Sequence, residues 1–230
     1  MTGRRKKPLK ILAIDVGGSH VKCLVTGRRK PVRFKSGPTL TPHHMVRKVL
    51  KITENWRFGA VSIGYPGVVR RGAVAAEPHN LGTGWVGFDF QAAFGRPVQL
   101  INDAAMQALG AYTGGTMLFL GLGTGLGTTL IVDGAIAAME LSHLPYRHGR
   151  NFEEYVGERA RKRHGNKRWR QDVEQVLMDL RQAMLPEYVV LGGGNVARMH
   201  KLPPRTRRGR NAHAFKGAFR LWESDITRRP

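Results

Sequence analysis

The sequence has a single cysteine, no long apolar run and few acidic residues. Cys23 is the only thiol among 230 residues, which excludes an internal disulfide and any zinc site built from several thiolates. We therefore expect no structural zinc. No apolar run approaches the roughly 18–20 residues needed to cross a bilayer, and the opening segment MTGRRKKPLK lacks the apolar core of a signal peptide. These absences predict a cytoplasmic protein without a membrane partner.

Positive charge is in large excess. The chain has 38 Lys and Arg against 16 Asp and Glu, a net charge of +22. Residues 1–7 and 201–230 together carry +11, and residues 8–200 carry the other +11, so the body is basic as well as the ends. This balance indicates an anionic partner. Three interpretations stay open: a solvated basic surface, nonspecific attraction to nucleic acid, and a polyanionic substrate.

Apolar patterning predicts an α/β protein. Strands are predicted at 9–16, 21–26, 31–35, 60–64, 97–101, 116–120, 128–132, 135–139 and 188–191. Helices are predicted from Pro42, over 104–112, over 151–163 and over 170–185. An aromatic segment near the end, with Phe215, Phe219 and Trp222, is expected to pack on the body. Two α/β units that each open with a strand and a glycine turn suggest a duplicated architecture with a cleft, divided into domains 1–113 and 114–230.

Glycine-rich turns follow three of the predicted strands, at 15–18, 121–127 and 192–194. Without a Cβ, such turns let backbone N–H groups approach an anion. None of them matches the P-loop or the dinucleotide-binding fingerprint. Together they indicate a phosphate site. Asp15, at the end of the first strand, is placed to hold Mg²⁺ through water, although a capping or turn role explains an aspartate there equally simply.

Acidic and amide side chains occur at two further points. Asn102 and Asp103 lie where a strand meets a helix, the edge of an α/β sheet at which ligands usually bind. A carboxylate there can accept the proton of a hydroxyl nucleophile; the plainer interpretation is a helix N-cap. Glu140 and His143 are three residues apart after a predicted hairpin. They suit hydrogen bonding to a polyol, but such a pair is often only structural.

Six segments of this chain resemble motifs of the ROK family, a group of repressors, uncharacterised frames and sugar kinases, and they follow one another in the same order. The segments are Ile14-Asp15-Val16-Gly17-Gly18-Ser19, Ile63-Gly64-Tyr65-Pro66-Gly67-Val68-Val69 with Asn80-Leu81-Gly82, Ile101-Asn102-Asp103-Ala104, Leu122-Gly123-Thr124-Gly125-Leu126-Gly127, Glu140-Leu141-Ser142-His143 and Leu191-Gly192-Gly193-Gly194-Asn195. The resemblance implies a two-domain sugar-kinase/actin-like ATPase (ribonuclease H-like) fold with a central cleft. It also implies a homodimer.

The resemblance further implies roles for individual residues. Asp103 would be the catalytic base, and Asp15 would hold Mg²⁺ through water. The implied sugar-binding residues are Gly67, Asn80, Asn102, Glu140 and His143. The implied phosphate-binding residues are Asp15, Gly17, Gly18, Ser19, Gly123, Thr124, Gly125 and Gly127, and the nucleotide-side residues are Gly192, Gly193 and Gly194.

Within the family the chain is most similar to the polyphosphate glucokinases, through the stretch Gly64 to Gly72 and the lack of a cysteine-rich zinc motif. This branch implies phosphoryl transfer from polyphosphate, ATP or both to the 6-hydroxyl of glucose or a related hexose such as mannose. Arg70, Arg71 and the run Arg159 to Arg170 are candidates to line a polyphosphate channel. Ser142 departs from the usual glycine. The alternatives are a strictly ATP-dependent glucokinase and a non-catalytic sugar sensor or nucleic-acid-associated protein.

Overall fold

The computed structural model describes residues 8–223. Of the two predicted basic ends, all of 1–7 and residues 224–230 of the segment 201–230 lie outside the described residues. The chain forms two compact units, Met1–Asp103 (unit 1) and Ala104–Pro230 (unit 2). The sequence analysis placed this division after residue 113, just beyond the far end of the helix that begins at Asp103. No helix within 8–223 is both long and apolar enough to span a membrane.

Unit 1 is built on one five-stranded sheet. Its elements are β1 (Ile11–Val16), β2 (His20–Val25), β3 (Val32–Lys35), α1 (Pro42–Ile52), β4 (Ala60–Tyr65), β5 (Val69–Arg70), β6 (Ala73–Val74), α2 (Phe90–Phe94) and β7 (Val98–Asn102). The sheet order is β3-β2-β1-β4-β7. Strand β1 pairs antiparallel with β2 and parallel with β4, which in turn pairs parallel with β7. The predicted strands of this unit are confirmed.

Helix α1 shows how local sequence fixes an element of unit 1. Thr41 is the N-cap, its Oγ1 accepts the N–H of His44 at 3.3 Å, and Pro42 occupies the first helical position, as predicted. The apolar face of the helix, with Met45 and Val49, joins the buried side chains of β1 in one core. The hairpin β5–β6 and the short α2 were not predicted, because their segment is polar and rich in glycine.

Unit 2 repeats the same sheet. Its elements are α3 (Asp103–Ala111), which begins at the last residue of unit 1, β8 (Thr116–Leu122), β9 (Leu126–Val132), β10 (Ala135–Met139), α4 (Glu153–Val156), α5 (Glu158–Met184), β11 (Tyr188–Gly192), β12 (Thr206–Arg208) and α6 (Ala212–Arg220). The order β10-β9-β8-β11-β12 has the same strand directions as the sheet of unit 1. The predicted duplication is therefore confirmed.

Two helices separated over residues 164–169 were predicted in the region 151–185, and the structure has a break between two helical stretches, but the break is narrower than predicted. Helix α5 runs from Glu158 to Met184 and is interrupted at a single residue, Gly165, with φ 77 and ψ 166. Trp169 lies in the expected gap, yet it is fully buried and donates its indole N–H to the Val156 carbonyl at 2.7 Å. This contact anchors the polar segment that the apolar pattern alone does not identify as helix.

Helix α6 packs against α3 through two glycines. A Cβ on Gly110 would overlap the His213 carbonyl, and one on Gly217 would overlap the Met106 carbonyl. Arg220 secures the contact, because its Nη1 donates to the carbonyls of Leu109 at 2.7 Å and Tyr112 at 2.9 Å. These acceptors lie at the end of α3, where carbonyls lack intrahelical partners. The predicted packing of the terminal aromatic segment is thus confirmed.

We expect Gly217→Ala to destabilise unit 2. The added methyl group meets backbone and not a flexible side chain, so a cost of about 1–3 kcal/mol exceeds the roughly 1 kcal/mol gained in helix propensity. Urea unfolding measures the change, with Lys216→Ala on the exposed face of the same helix as the control. Equal or higher stability of Gly217→Ala would contradict the close contact of the two helices.

Candidate active site

The carboxyl ends of β1, β4 and β7 lie side by side in unit 1. Asp15 is in register with Gly64, and Tyr65 is in register with Asn102. Since these strands are parallel, the segments that follow them leave from one edge of the sheet. That edge therefore collects the predicted residues Asp15 to Ser19, Gly67, Asn102 and Asp103.

Asp15 is almost completely buried and forms an ion pair with a neighbouring strand. Its Oδ2 lies 3.2 Å from Nζ of Lys22 on β2, and the residue is 9% exposed. Residues 8–223 contain no group of three His, Cys, Asp or Glu side chains that would hold a metal. Mg²⁺ usually keeps several waters and takes one or two carboxylates plus substrate phosphates. The surroundings of Asp15 fit that mode of binding, and not an all-protein cage.

Ser36 fixes the turn after β1, a role that the sequence analysis missed. Its Oγ donates to the Gly17 carbonyl at 2.6 Å, and its N–H donates to the Ser19 carbonyl at 3.0 Å. The Gly17 N–H donates to the carbonyl of His20 at 3.0 Å, so this amide is already used within the turn. The turn is thus held in shape from a residue beyond β3.

Asn80 lies beside this turn. A Cβ added to Gly18 would come within 3.1 Å of the Asn80 Cβ, so a side chain at position 18 would press on the residue. The loop after Asn80 is fastened by Glu77, whose Oε1 accepts the N–H groups of Trp85 and Val86, each at 3.1 Å. The structure therefore brings Asn80 to the predicted phosphate turn of unit 1.

Asn102 and Asp103 stand at the junction of β7 and α3. The Asn102 side chain donates from Nδ2 to the Gly67 carbonyl at 3.0 Å, which joins the segment after β4 to the end of β7. Asp103 is the first residue of α3 and not the cap before it, and it is partly exposed. A ligand can therefore reach this carboxylate at the sheet edge.

In unit 2 a network of polar contacts fastens the loop between β8 and β9. Asn195 donates from Nδ2 to the Gly123 carbonyl at 3.2 Å and to Oε2 of Glu158 at 2.9 Å. The Glu158 N–H donates to the Thr124 carbonyl at 3.1 Å. Within the loop, the Gly123 N–H donates to the Gly125 carbonyl at 3.1 Å. The loop is therefore tied both to the start of α5 and to the segment after β11.

Glu158 is the charged centre of this network. Arg161 holds its carboxylate in a bidentate contact, from Nε at 2.8 Å and from Nη2 at 2.6 Å. The hydrogen bond from Arg161, supported by that from Asn195, lowers the pKa of Glu158 to about 2. Its carboxylate therefore stays ionised at every physiological pH. Glu158 was not predicted from the sequence; Asn195 was named only as the end of a motif and Arg161 only as a member of the run Arg159 to Arg170, and nothing in their spacing marks the contact.

Glycines 192–194 lie beside the same loop. Gly192 is in register with Gly121 on β8, and a Cβ on Gly193 would overlap the Leu122 carbonyl. Gly193 also has φ 83, a conformation that side chains other than glycine rarely adopt. The predicted second phosphate turn and the predicted nucleotide-side turn thus share one edge of the unit 2 sheet.

Glu140 precedes a single 3₁₀ turn, Leu141–His143, and His143 is the last residue of that turn. His143 Nε2 lies 3.8 Å from Glu140 Oε2, and both side chains are more than half exposed. Ser142, which departs from the family's glycine, is buried at 2% exposure. The pair is therefore brought together and faces solvent, as hydrogen bonding to a polyol requires, while Ser142 belongs to the interior of the turn.

Glu158→Gln is expected to destabilise unit 2 near neutral pH by an amount that shrinks in acid. The folded-state pKa, about 2, lies below the ordinary 4.5, so the ionised carboxylate stabilises the fold above about pH 4.5. That contribution is lost as the pH falls towards 2. Urea unfolding of both proteins at neutral pH, near pH 5 and near pH 3 measures the difference.

Glu174→Gln is the matched control, because Glu174 is exposed on the same helix and forms no ion pair within residues 8–223. We expect its stability to follow that of the unaltered protein at each pH. A Glu158→Gln effect that is the same at all three pH values would show that the ionised carboxylate is not the stabilising group.

Comparison with known proteins agrees with this geometry. The ROK family model matches residues 11–139. A polyphosphate glucokinase of Mycobacterium tuberculosis is 28% identical over 83% of this chain and 80% of its own length. The inorganic polyphosphate/ATP-glucomannokinase of Arthrobacter sp. strain KM superposes with a TM-score of 0.79 at 26% identity, over 92% of this chain and 97% of that one.

A more distant structure supports the fold. The ROK family glucokinase of Streptomyces griseus, solved with glucose and AMPPNP, superposes with a TM-score of 0.74 at 18% identity, over 92% of this chain and 98% of that one. The expected sugar-kinase/actin-like α/β fold is thereby confirmed. The family model spans more than half of the chain, including Asp15, Asn102, Asp103 and the β8–β9 loop. The chain belongs to the ROK family.

Proposed function

We propose that this protein is a hexose kinase. It transfers a phosphoryl group from inorganic polyphosphate, ATP or both to the 6-hydroxyl of glucose or a related hexose such as mannose. The observation that carries the proposal is the contact between Asn102 and Gly67, which sets Asp103 at the edge of the sheet. The names of the similar proteins supply the substrate class.

Asp103 acts as the general base. Its carboxylate accepts the proton of the sugar's primary hydroxyl as that oxygen attacks the terminal phosphorus of the donor. The new P–O bond forms while the bond from phosphorus to the leaving phosphate oxygen breaks, and the proton ends on Asp103. Positioning and charge stabilisation dominate such transfers, and a base in this position contributes about 10²–10⁴ in rate.

Polar groups at both sheet edges hold the other sugar hydroxyls. The side-chain N–H of Asn102 donates to the Gly67 carbonyl. In our proposal the amide oxygen of Asn102 contacts the substrate. Asn80, Glu140 and His143 supply further donors and acceptors. A Cβ on Gly67 would lie 2.8 Å from Cε1 of Tyr65, so glycine at this position keeps its carbonyl in reach of Asn102.

Backbone amides hold the phosphates of the donor. In unit 1 the Gly17 amide is engaged within its own turn, which leaves this role to Gly18 and Ser19. In unit 2 the Gly123 amide is engaged within the loop, so Thr124 and Gly125 take the role. Gly127 lies against α3, where an added Cβ would come within 2.8 Å of the Ala104 Cβ. Gly192, Gly193 and Gly194 provide the nucleotide side when ATP is the donor.

Asp15 would hold Mg²⁺ through water, and the ion would supply positive charge to neutralise the phosphates of the donor. Lys22 holds the Asp15 carboxylate in place at 3.2 Å. We further propose that the protein works in the cytoplasm as a homodimer and has no specific nucleic-acid partner.

Asp103→Asn tests the base directly. Because asparagine keeps the shape but cannot accept the proton, kcat should fall by about 10²–10⁴ with both polyphosphate and ATP, while glucose still binds. Glucose 6-phosphate formation and calorimetric glucose binding measure the two properties. Asp89→Asn is the matched control: Asp89 caps α2 by accepting the Ala92 N–H at 2.9 Å, a function that asparagine fulfils equally well. Near-normal turnover of Asp103→Asn would refute the proposed mechanism.

Glu140→Gln tests sugar recognition in unit 2. The change removes the negative acceptor beside His143 while keeping its size, so we expect KM for glucose to rise about tenfold or more. The KM for the phosphoryl donor should change little. Steady-state kinetics with each substrate varied in turn separate these effects. If only the KM for the phosphoryl donor rose, the Glu140–His143 pair would bind the donor and not the sugar.

A further inference from the structure

We propose that Arg159, Arg163 and Lys167 form a track for long polyphosphate chains, which begins at the β8–β9 loop of unit 2. This inference rests on the proposed function. It adds the residues that would let the protein bind long polyphosphate chains more tightly than short ones. The loop amides would hold the phosphates next to the transferred group. The three cations would hold the phosphates further along the chain.

The segment from Arg159 to Arg168 has an extreme composition. Six of its ten residues are Lys or Arg and none is acidic, and every residue from 162 to 168 is exposed. Its interruption at Gly165 separates the cations into two groups along the surface. A concentration of this kind raises the local potential and attracts a polyanion.

Three of the six cations are already paired. Arg161 and Lys162 contact the Glu158 carboxylate, and Arg168 Nε lies 3.5 Å from Oδ2 of Asp172. In contrast, no ion pair anywhere in residues 8–223 includes Arg159, Arg163 or Lys167. The unpaired charges are therefore available to an external anion, and removing them leaves the internal pairs intact.

The positions of these charges are unfavourable for the helix itself. Arg159 follows directly after Glu158, the first residue of α5, where the helix macrodipole disfavours cations. Arg159 and Arg163 are also four residues apart, a spacing at which like charges repel. Residues that break local preferences without compensation within the fold are typical of functional sites. A bound anion would offset both the unfavourable interaction of Arg159 with the helix dipole and the repulsion between Arg159 and Arg163.

Direct contacts link the segment to the phosphate loop. The Glu158 N–H donates to the Thr124 carbonyl, so Arg159 is the next residue after a loop contact. Arg161 then bridges the interruption, because its Nη1 donates to Oδ1 of Asn166 at 3.0 Å. Along the chain, Arg159 and Arg163 therefore lie between the loop contact and the interruption at Gly165, and Lys167 lies just beyond it.

The composition favours polyphosphate over RNA. Single-stranded nucleic acid is usually held by exposed aromatic rings on which bases stack. The segment 159–168 contains no aromatic residue other than His164, and the nearby Trp169 is fully buried. Charge without stacking surfaces suits a ligand that is phosphate throughout.

The test replaces Arg159, Arg163 and Lys167 together by glutamine. The matched control makes the same change in charge on unit 1, at Arg29, Lys30 and Arg33, which are exposed and lie in or next to β3. Both variants and the unaltered protein are assayed with long-chain polyphosphate, tripolyphosphate and ATP. Binding of long-chain polyphosphate in the absence of glucose is measured by calorimetry in parallel.

For the track variant we expect KM and Kd for long-chain polyphosphate to rise about tenfold. Binding should also depend less on salt: the slope of log Kd against log salt concentration should decrease by about two to three. Tripolyphosphate and ATP, too short to extend past Arg159 to Arg163 and Lys167, should be affected much less than the long chains. The control variant should keep the long-chain affinity of the unaltered protein.

The inference is overturned if the track variant binds long-chain polyphosphate normally, or if the control variant loses affinity equally. It is also overturned if tripolyphosphate and long chains are affected alike, or if a single-stranded RNA displaces polyphosphate from the track at equal concentration. Calorimetry decides these points whether or not the protein turns over. Failure of the proposed function would appear separately, as no glucose phosphorylation by the unaltered protein with any donor.

Discussion

The parallel pairing of β4 with β1 and β7 is the constraint on which the candidate residues of unit 1 depend. Each register pair fixes which residues leave the sheet together: Asp15 beside Gly64, and Tyr65 beside Asn102. A shift by one residue would turn Asp15 to the opposite face of the sheet. It would also separate Asn102 from the Gly67 carbonyl. The buried side chains of β1 and β4, which form one core with α1, resist such a shift, so packing remote from the site determines its geometry.

The parts of this structure that were predictable from sequence are local. Apolar runs identified the strands, Thr41-Pro42 identified the start of α1, and the strand–helix junction placed Asp103 at the sheet edge, while its catalytic role was implied only by the family resemblance. The parts that were missed depend on contacts between distant residues. Glu158 and Asn195 are 37 positions apart, and Ser36 reaches back 19 positions to Gly17. Strand β12 is short and polar, and only its pairing with β11 defines it. Such features carry no periodic signal along the chain.

Duplication of the sheet makes the chemical difference between the two units clear. The last register pair of β1 and β4 is Asp15 with Gly64, and the corresponding pair of β8 and β11 is Gly121 with Gly192. One edge thus carries a carboxylate where the other carries only backbone. In unit 2 the glycines at 192 and 193 are required by the close approach of Phe119 and the Leu122 carbonyl. The same topology therefore suits side-chain chemistry in unit 1 and amide contacts in unit 2.

Acidic residues near the proposed phosphate turns need neutralisation, because an unpaired carboxylate repels an anionic donor. Lys22 supplies it for Asp15, and Arg161 supplies it for Glu158. Glu153 is the exception, since its Oε2 accepts the Leu126 N–H at 3.3 Å and forms no ion pair within residues 8–223. A backbone amide offsets less charge than a guanidinium does. The excess of cations on α5 compensates for these carboxylates over a larger surface. A chain this basic can therefore keep carboxylates beside the proposed phosphate loops and still attract the proposed polyanion.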